Sequence, residues 1–424
     1  MKDENKPLVP KLRFPEFKGK GEWRIAPLKE LASRRTERNR DGKLVRVLTN
    51  SAEHGVVDQR DYFDKDIATQ GNLENYFVVG EGDFVYNPRI SAFAPVGPIS
   101  RNSVAKGVMS PLYTVFRFKR SDSDFYAHYF KSSAWHLYMR QVGSTGARHD
   151  RMAITNDDFM AMPIPVPSPE EQQKIADCLS SLDALIAAQA DRLDALKTHK
   201  KGLMQQLFPR EGETVPRLRF PEFRNAGEWD VCNLGDISTV VRGGSPRPID
   251  GYLTKDKNGL NWLKIGDVDK EAKYVEGTQE KVRAEALGKT REVHPGDLIL
   301  SNSMSFGRPY LMKIKSCIHD GWIAITKISD SVKREYLYYL IFSSASQAYF
   351  LDNAAGGGVL NLNADIIKNL PASYPTGAEQ QKIADCLSPL DALIAAHTEK
   401  LEVLKSHKKG LMQQLFPSPE AVGA

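Results

Sequence analysis

Apolar residues recur at alternating spacings of four and three over two long stretches of the chain. In the first, Ile175, Leu179, Leu182, Ile186, Leu193, Leu196, Leu203 and Leu207 occupy the stripe, interrupted by Gln189 and Lys200. In the second, Ile383, Leu387, Leu390, Ile394, Leu401, Leu404, Leu411 and Leu415 do so, interrupted by His397 and Lys408. This is the periodicity of a coiled-coil seam, and polar residues inside a seam specify register. The two stretches are one written twice, since QQKIADCLS, LDALIAA and KKGLMQQLFP each return after 208 residues. A helix of this kind cannot bury its stripe alone, so each copy is the natural partner of the other. An antiparallel pair is expected, because each copy then meets the other equivalently. At about 1.5 Å per residue, roughly 38 residues would make a rod of roughly 57 Å that holds two domains apart.

The repeat is wider than the helices. VPKLRFPEF at residues 9–17 returns as VPRLRFPEF at 215–223, and Glu22-Trp23 returns as Glu228-Trp229. NDDFMAMP at 156–163 aligns with ADIIKNLP at 364–371. Each half therefore reads as a leading motif, a variable domain, a proline-rich turn and a long helix. In the first domain the pattern predicts a short helix over 27–35, strands over 45–49, 76–79, 83–86 and 112–118, and a helix over 125–142. The second predicts strands near 262–265, 298–301 and 322–328 and a helix over 334–351. The skeleton is shared and the content differs, as if the helices had been held and the domains released.

With 424 residues, of which 41% are apolar, the chain can build several ordinary cores. The start is charged and no window reaches the roughly 18 apolar residues of a membrane span, so a cytoplasmic location without a membrane is expected. The four cysteines lack CxxC spacing, which favours reduced packing residues over disulfides or zinc ligands. Net charge is +5, and residues 1–165 hold 26 Lys and Arg against 20 Asp and Glu. That permits a polyanionic partner, as it permits an ordinary solvated surface.

Catalytic chemistry is sparse. Gly288-Lys289-Thr290 has the ending of a phosphate loop, but Arg283 stands where its first glycine is needed. Asn87-Pro88-Arg89-Ile90 only faintly approaches the NPP-aromatic motif of amino-methylating enzymes, and no glycine-rich cofactor loop accompanies it. His199 and His407, near the helix ends, suit the helix dipole. Asp83 and Asp297 sit in turns before strands. No metal-ligand set is expected.

Binding candidates are more numerous. Arg34, Arg35, Arg38, Arg40 and Lys43 could neutralise phosphates or, as guanidiniums, read guanine edges, with a solvated charged helix face as the alternative. Arg89, and the loop residues Ser144, Thr145, Arg148, His149 and Arg151, offer further donors. In the second half the candidates are Arg242, Arg247, Asn302, Ser303, Arg308, Asn361 and Asn363, since asparagine pairs bidentately with adenine. A turn role stands beside the binding role for each.

The start of each repeat helix, EQQKIADCLSSLDALI at Glu171 and its near-copy at Glu379, resembles the repeated segment of the DNA-specificity subunit of type I restriction-modification systems. EGDFVYNPRISA (81–92), WLKIGDV (262–268), PGDLILSNSMSFGR (295–308) and NLPASYPTGAEQQKI (369–383) are similar to that family as well, and the resemblance covers essentially the whole chain. It implies an α+β architecture: mixed α/β target-recognition domains over 1–165 and 210–372, repeat helices over 166–209 and 373–417 forming an antiparallel, pseudo-twofold two-helix coiled coil, and a tail over 418–424. It further implies that each domain reads one half of a bipartite, asymmetric site in double-stranded DNA. The helices would set the gap and dock two modification subunits, with restriction subunits joining the complex. The subunit itself would catalyse nothing and hold no cofactor; S-adenosylmethionine, ATP and magnesium would belong to its partners. The rival reading is a coiled-coil adaptor joining proteins without reading DNA, which salt dependence of binding would separate.

Overall fold

The computed structural model describes residues 8–62, 70–120, 124–145, 150–302, 306–354 and 361–417. The chain divides into two compact units, Met1–Ala188 with Glu402–Ala424, and Gln189–Leu401. The repeat helices are continuous, Pro169–Leu207 and Gly377–Leu415, and the boundary between units runs through both. Each unit therefore holds the beginning of one helix and the end of the other.

Within each unit the two helix segments run antiparallel. In the first, Ile175 and Leu179 share a buried cluster with Met412, Leu415 and Phe416, and Lys408 bonds to Asp183. In the second, Met204 and Leu207 share a cluster with Ile383 and Leu387, and Lys200 Nζ lies 2.5 Å from Asp391 Oδ1. The polar interruptions of the seam thus act on each other or on the repeated aspartate. Gln189 meets His397, its Nε2 2.5 Å from Nδ1 and 3.2 Å from the backbone carbonyl. Sliding the helices would strand these groups, which is how a polar seam position fixes register.

The leading motif is a strap across the helix ends. In the first unit the Leu12 amide donates to Gln414 O at 3.0 Å; in the second the Leu218 amide donates to Gln206 O at 2.9 Å. Arg13 grips Glu171 with two bonds of 2.7 Å, and Arg219 grips Glu379 with two of 2.7 Å. Lys174 and Glu16 are 3.2 Å apart, Lys382 and Glu222 3.3 Å. RFPE and EQQK are thus two halves of one lock, and each carboxylate holds its arginine's pKa above the ordinary guanidinium range.

Above each lock lies a sheet of one plan. The first unit orders its strands Ala32–Arg34, Thr114–Phe118, Phe84–Tyr86 and Ile99–Arg101, all antiparallel. The second orders Thr239–Arg242, Trp322–Thr326, Leu298–Ser301 and Pro309–Met312 likewise, then adds Tyr274–Val275 in parallel. It also carries a second five-stranded sheet, built on Leu260–Leu263 and Ser316–Ile318. The central strands are buried on both faces, so they read as continuous apolar runs such as FVY and LILS.

Four expectations differ from the structure. The short helix expected over 27–35 spans only Leu28–Leu31 and gives way to the strand Ala32–Arg34. The proline-rich stretch is not a turn: Pro163–Val166 is a strand paired with Arg24–Pro27, and Pro371–Tyr374 pairs with Asp230–Asn233. A two-stranded ribbon leaves one side of each strand unpaired, where a missing amide costs nothing. The helix expected over 125–142 is broken into Asp124–Lys131 and His136–Val142, because Ser132 Oγ donates to Tyr129 O at 2.6 Å and the Trp135 indole donates to Phe130 O at 3.1 Å. The helix expected over 334–351 breaks at Ser343, whose side chain caps the next helix, Ser344–Asn353.

Candidate nucleic-acid interface

In the first unit the strand Phe84–Tyr86 runs out into Asn87-Pro88-Arg89-Ile90. This loop is laced to the segment before the last short helix: the Ile90 amide donates to Asp150 O at 2.9 Å and the Met152 amide to Pro88 O at 2.8 Å. Arg89 and Arg151 become partners in a β-bridge. Gly97 makes the turn possible, since at φ 82° a Cβ there would stand 2.2 Å from Asn87 O. Ser144 and Thr145 pair with Ala153 and Met152 in a two-residue ladder beside the bridge. Arg148 and His149 lie outside the described residues. Two arginines side by side, with only Asp150 Oδ2 at 3.9 Å from Arg151 Nε among the described acids, suit an anionic backbone.

The basic run at 34–43 does not form a helix face. Arg34 ends a strand opposite Phe116, and Arg35 Nε is 3.8 Å from Asp83, which Arg117 holds at 2.6 Å. Arg38 lies over the Phe77 ring at 5.3 Å and donates to Asn75 O. Lys43 is 3.3 Å from Asp41, and Arg40 is exposed. Most of this charge is engaged within the domain.

In the second unit the corresponding strands bring Arg242 and Asn302 to one residue, Asp320. Arg242 Nε donates to Asp320 O at 2.9 Å, and Asn302 Nδ2 is 3.4 Å from the same oxygen. Arg247 Nη2 lies 3.5 Å from Asp320 Oδ2. The Leu362 amide donates to Asn302 O at 2.9 Å, which ties the segment holding Asn361 to the same place. This repeats the lacing of the first unit with different side chains. Asn363 instead caps the helix Ala364–Lys368, accepting from the Ile366 amide at 2.9 Å. Arg308 faces elsewhere, 3.9 Å from Glu271 and over Phe342, lining a cavity of about 850 Å³ with Lys200 and Asp391. Ser303 lies outside the described residues.

Sequence reasoning did not single out Asp320, Ser245 and His319, which the fold brings together beside Arg242 and Arg247. It also left the RFPE lock without a role, although that motif and EQQK recur together. The four cysteines are free, and among the described residues no cluster of three His, Cys, Asp or Glu gathers. No described helix is long and apolar enough to cross a membrane.

Two units of one plan, each seated on antiparallel repeat helices and each lacing a strand-end loop to the segment before its last short helix, define a duplicated α+β recognition scaffold. The chain belongs to the family of the type I restriction modification DNA specificity domain, whose model matches residues 60–198 and 226–406. Recognition of DNA is its role, and a specificity subunit is the non-catalytic component of its complex. It is 24% identical to the type I restriction enzyme MjaVIII specificity subunit of Methanocaldococcus jannaschii over 73% of this chain and 70% of that one. With the MjaIX specificity subunit of the same organism it shares 28% identity over 45% of this chain and 44% of the other. Among solved structures it resembles the S subunit of a type I restriction-modification system from M. genitalium, with a TM-score of 0.59 at 14% identity over 97% of this chain and 99% of that one. A chain of a second type I system matches with a TM-score of 0.56 at 18% identity, covering 93% and 97%. At these identities the likeness is one of fold.

Proposed function

We propose that each unit reads one half of a bipartite, asymmetric duplex site, that the repeat helices set the unread gap, and that the chain docks two modification subunits, to which restriction subunits add. The observation that carries this is the pairing of a constant seat with unlike loops. Sheet order, strap and helix lock agree between units, whereas the laced loops present Arg89 and Arg151 in one and Arg242, Arg247 and Asn302 in the other. Unlike side chains on like scaffolds read unlike bases. Docking is supported by Leu185 and Leu393, equivalent residues of the identical LDALIAA blocks, which remain 46% and 45% exposed. Two equal apolar sites fit two copies of one partner. S-adenosylmethionine, ATP and magnesium act on those partners, in the cytoplasm.

The test is methylome sequencing of a host expressing this chain with its modification subunit. A new bipartite motif with methyl-adenine in each half and a fixed gap is expected. A soluble complex that methylates without any bipartite motif refutes the proposal. Exchanging residues 24–155 for another domain of the family should then change one half-site only. Adding seven residues after Ala188 and seven after Ala396 should lengthen the gap by about three base pairs, since a heptad rises about 10 Å and a base-pair step about 3.4 Å.

A further inference from the structure

Asp320 is out of place on a surface meant for phosphates, yet it is the most heavily engaged carboxylate in the second unit's loops. Ser245 Oγ donates to its Oδ1 at 2.9 Å, and the Asp320 amide returns a bond to Ser245 Oγ at 3.3 Å. His319 accepts the Gly321 amide on Nδ1 at 2.9 Å, which leaves its proton on Nε2, 3.0 Å from the same Oδ1. Oδ2 faces Arg247. The loop that carries Ser245 and Arg247 can lie this close only because two residues lack side chains. A Cβ on Gly243 would stand 2.1 Å from His319 O, and one on Gly244 2.7 Å from Lys289 O. Burial raises the Asp320 pKa, but the Ser245 bond and the neighbouring Arg242 and Arg247 guanidiniums outweigh it and hold the group ionised.

Two of these partners fall on Oδ1 and the third faces Oδ2, so the carboxylate is committed to neighbours within the fold. Its effect falls on the arginines. Arg242 is held at Nε by the Asp320 backbone carbonyl, and Arg247 meets the Asp320 carboxylate through one terminal nitrogen at 3.5 Å while its side chain stays 81% exposed. An arginine held at one edge presents the other as a fixed fork, the geometry that takes guanine O6 and N7 together.

We propose that Asp320 is the positioning residue of the second recognition unit, orienting Arg247 for bidentate reading of a guanine, so that the half-site read by residues 210–372 contains an obligatory G·C pair. This rests on the DNA-reading role proposed above. Held by Asp320, Arg247 discriminates guanine from the other bases; released, it still attracts phosphate but no longer selects.

The experiment selects binding sites from a randomised duplex pool with the full chain bound to its modification subunits, comparing the parent with Asp320→Asn and Arg247→Lys. The parent should show one guanine position in the second half-site preferred roughly tenfold or more. Both substitutions should reduce that preference to within about threefold at the same position, leaving the first half-site and the melting temperature unchanged. A second half-site without an obligatory G·C pair overturns the proposal, as does an Asp320→Asn chain that keeps the full preference or loses every position equally. Should Asp320→Asn lower the melting temperature, the selection is repeated at a temperature where both chains stay folded, and a full guanine preference there overturns the proposal. A pool that yields no bipartite motif with the parent refutes the DNA-reading role instead, so the two failures are distinct.

Discussion

Glu379→Gln removes one charge from the lock that fastens the second strap. The Arg219 side chain is 8% exposed and that of Glu379 1%, and two bonds of 2.7 Å join them. Breaking a buried pair from one side costs about 3–5 kcal/mol, because the remaining charge stays in low dielectric. Glutamine keeps the volume and one acceptor, so a loss of about 3 kcal/mol is expected. Glu171→Gln in the first unit should cost about 1 kcal/mol more, since Glu171 Oε2 also accepts the Trp23 indole at 3.1 Å. The equivalent Trp229 nitrogen is buried without a partner among the described residues. The assay is hydrogen exchange on the intact chain, following the amides of residues 9–23 and 215–229, with urea unfolding beside it. Glu379→Gln should raise exchange at Leu218 by about a hundredfold, which is what about 3 kcal/mol of local opening allows. If exchange there changed less than about twofold, or if the two glutamine variants reversed their order, the lock would not be what holds the strap.

Three further outcomes follow from other sites. His128 is buried beside Lys131, Lys408, Asp183 and Asp124, and burial lowers its pKa to about 4. Because the unfolded imidazole binds its proton near 6.5 and the folded one only near 4, stability is complete above pH 6.5 and falls as pH drops toward 4. About 2 kcal/mol should be lost between pH 7 and 5 by urea titration, and His128→Gln should remove most of that loss; an unchanged loss would place it on other groups. Arg89→Ala with Arg151→Ala should weaken DNA binding and lower the slope of log K against log salt by about 2; an unchanged slope would remove both from the phosphate contacts. Asp391→Ala leaves Lys200 and Lys273 facing Tyr339 without their shared carboxylate, and should cost about 2–4 kcal/mol in thermal unfolding; near-neutrality would mean the cavity admits water freely enough to replace it.

How much of this was legible depended on whether a signal was local or repeated. The helices could be read because their spacing and their polar interruptions occur twice, and Lys200, Lys408, Gln189 and His397 all proved to meet seam or domain partners. The strands 84–86, 298–301 and 322–326 announced themselves by β-branched and aromatic runs. Helix breaks at Ser132 and Ser343 were invisible, because a serine favours helix or cap according to which carbonyl or amide the tertiary fold brings near. Pro163–Val166 looked like a turn because proline content outweighs pairing in a local reading. Arg89, Arg151, Arg242 and Asn302 were singled out by residue type, and the fold gathers them in pairs, but Asp320 was not singled out. Its role exists only through Gly243 and Gly244, which let two distant loops touch.

The passage of the unit boundary through both repeat helices bears on how the protein is made. Residues 189–401 form one uninterrupted segment, so the second unit has all its parts once that segment has left the ribosome. The first unit, though synthesised earlier, lacks the helix end at 402–417 on which Leu12, Phe125 and Tyr129 rest. The half made first is thus the last to be completed, and until then Ile175 and Leu179 are without part of their cover. A chain truncated before residue 402 should give a protease-resistant second unit and a labile first one. The first unit is complete only once residues 402–417 are added, so a nascent chain that lacks them lacks part of the seat of its first unit.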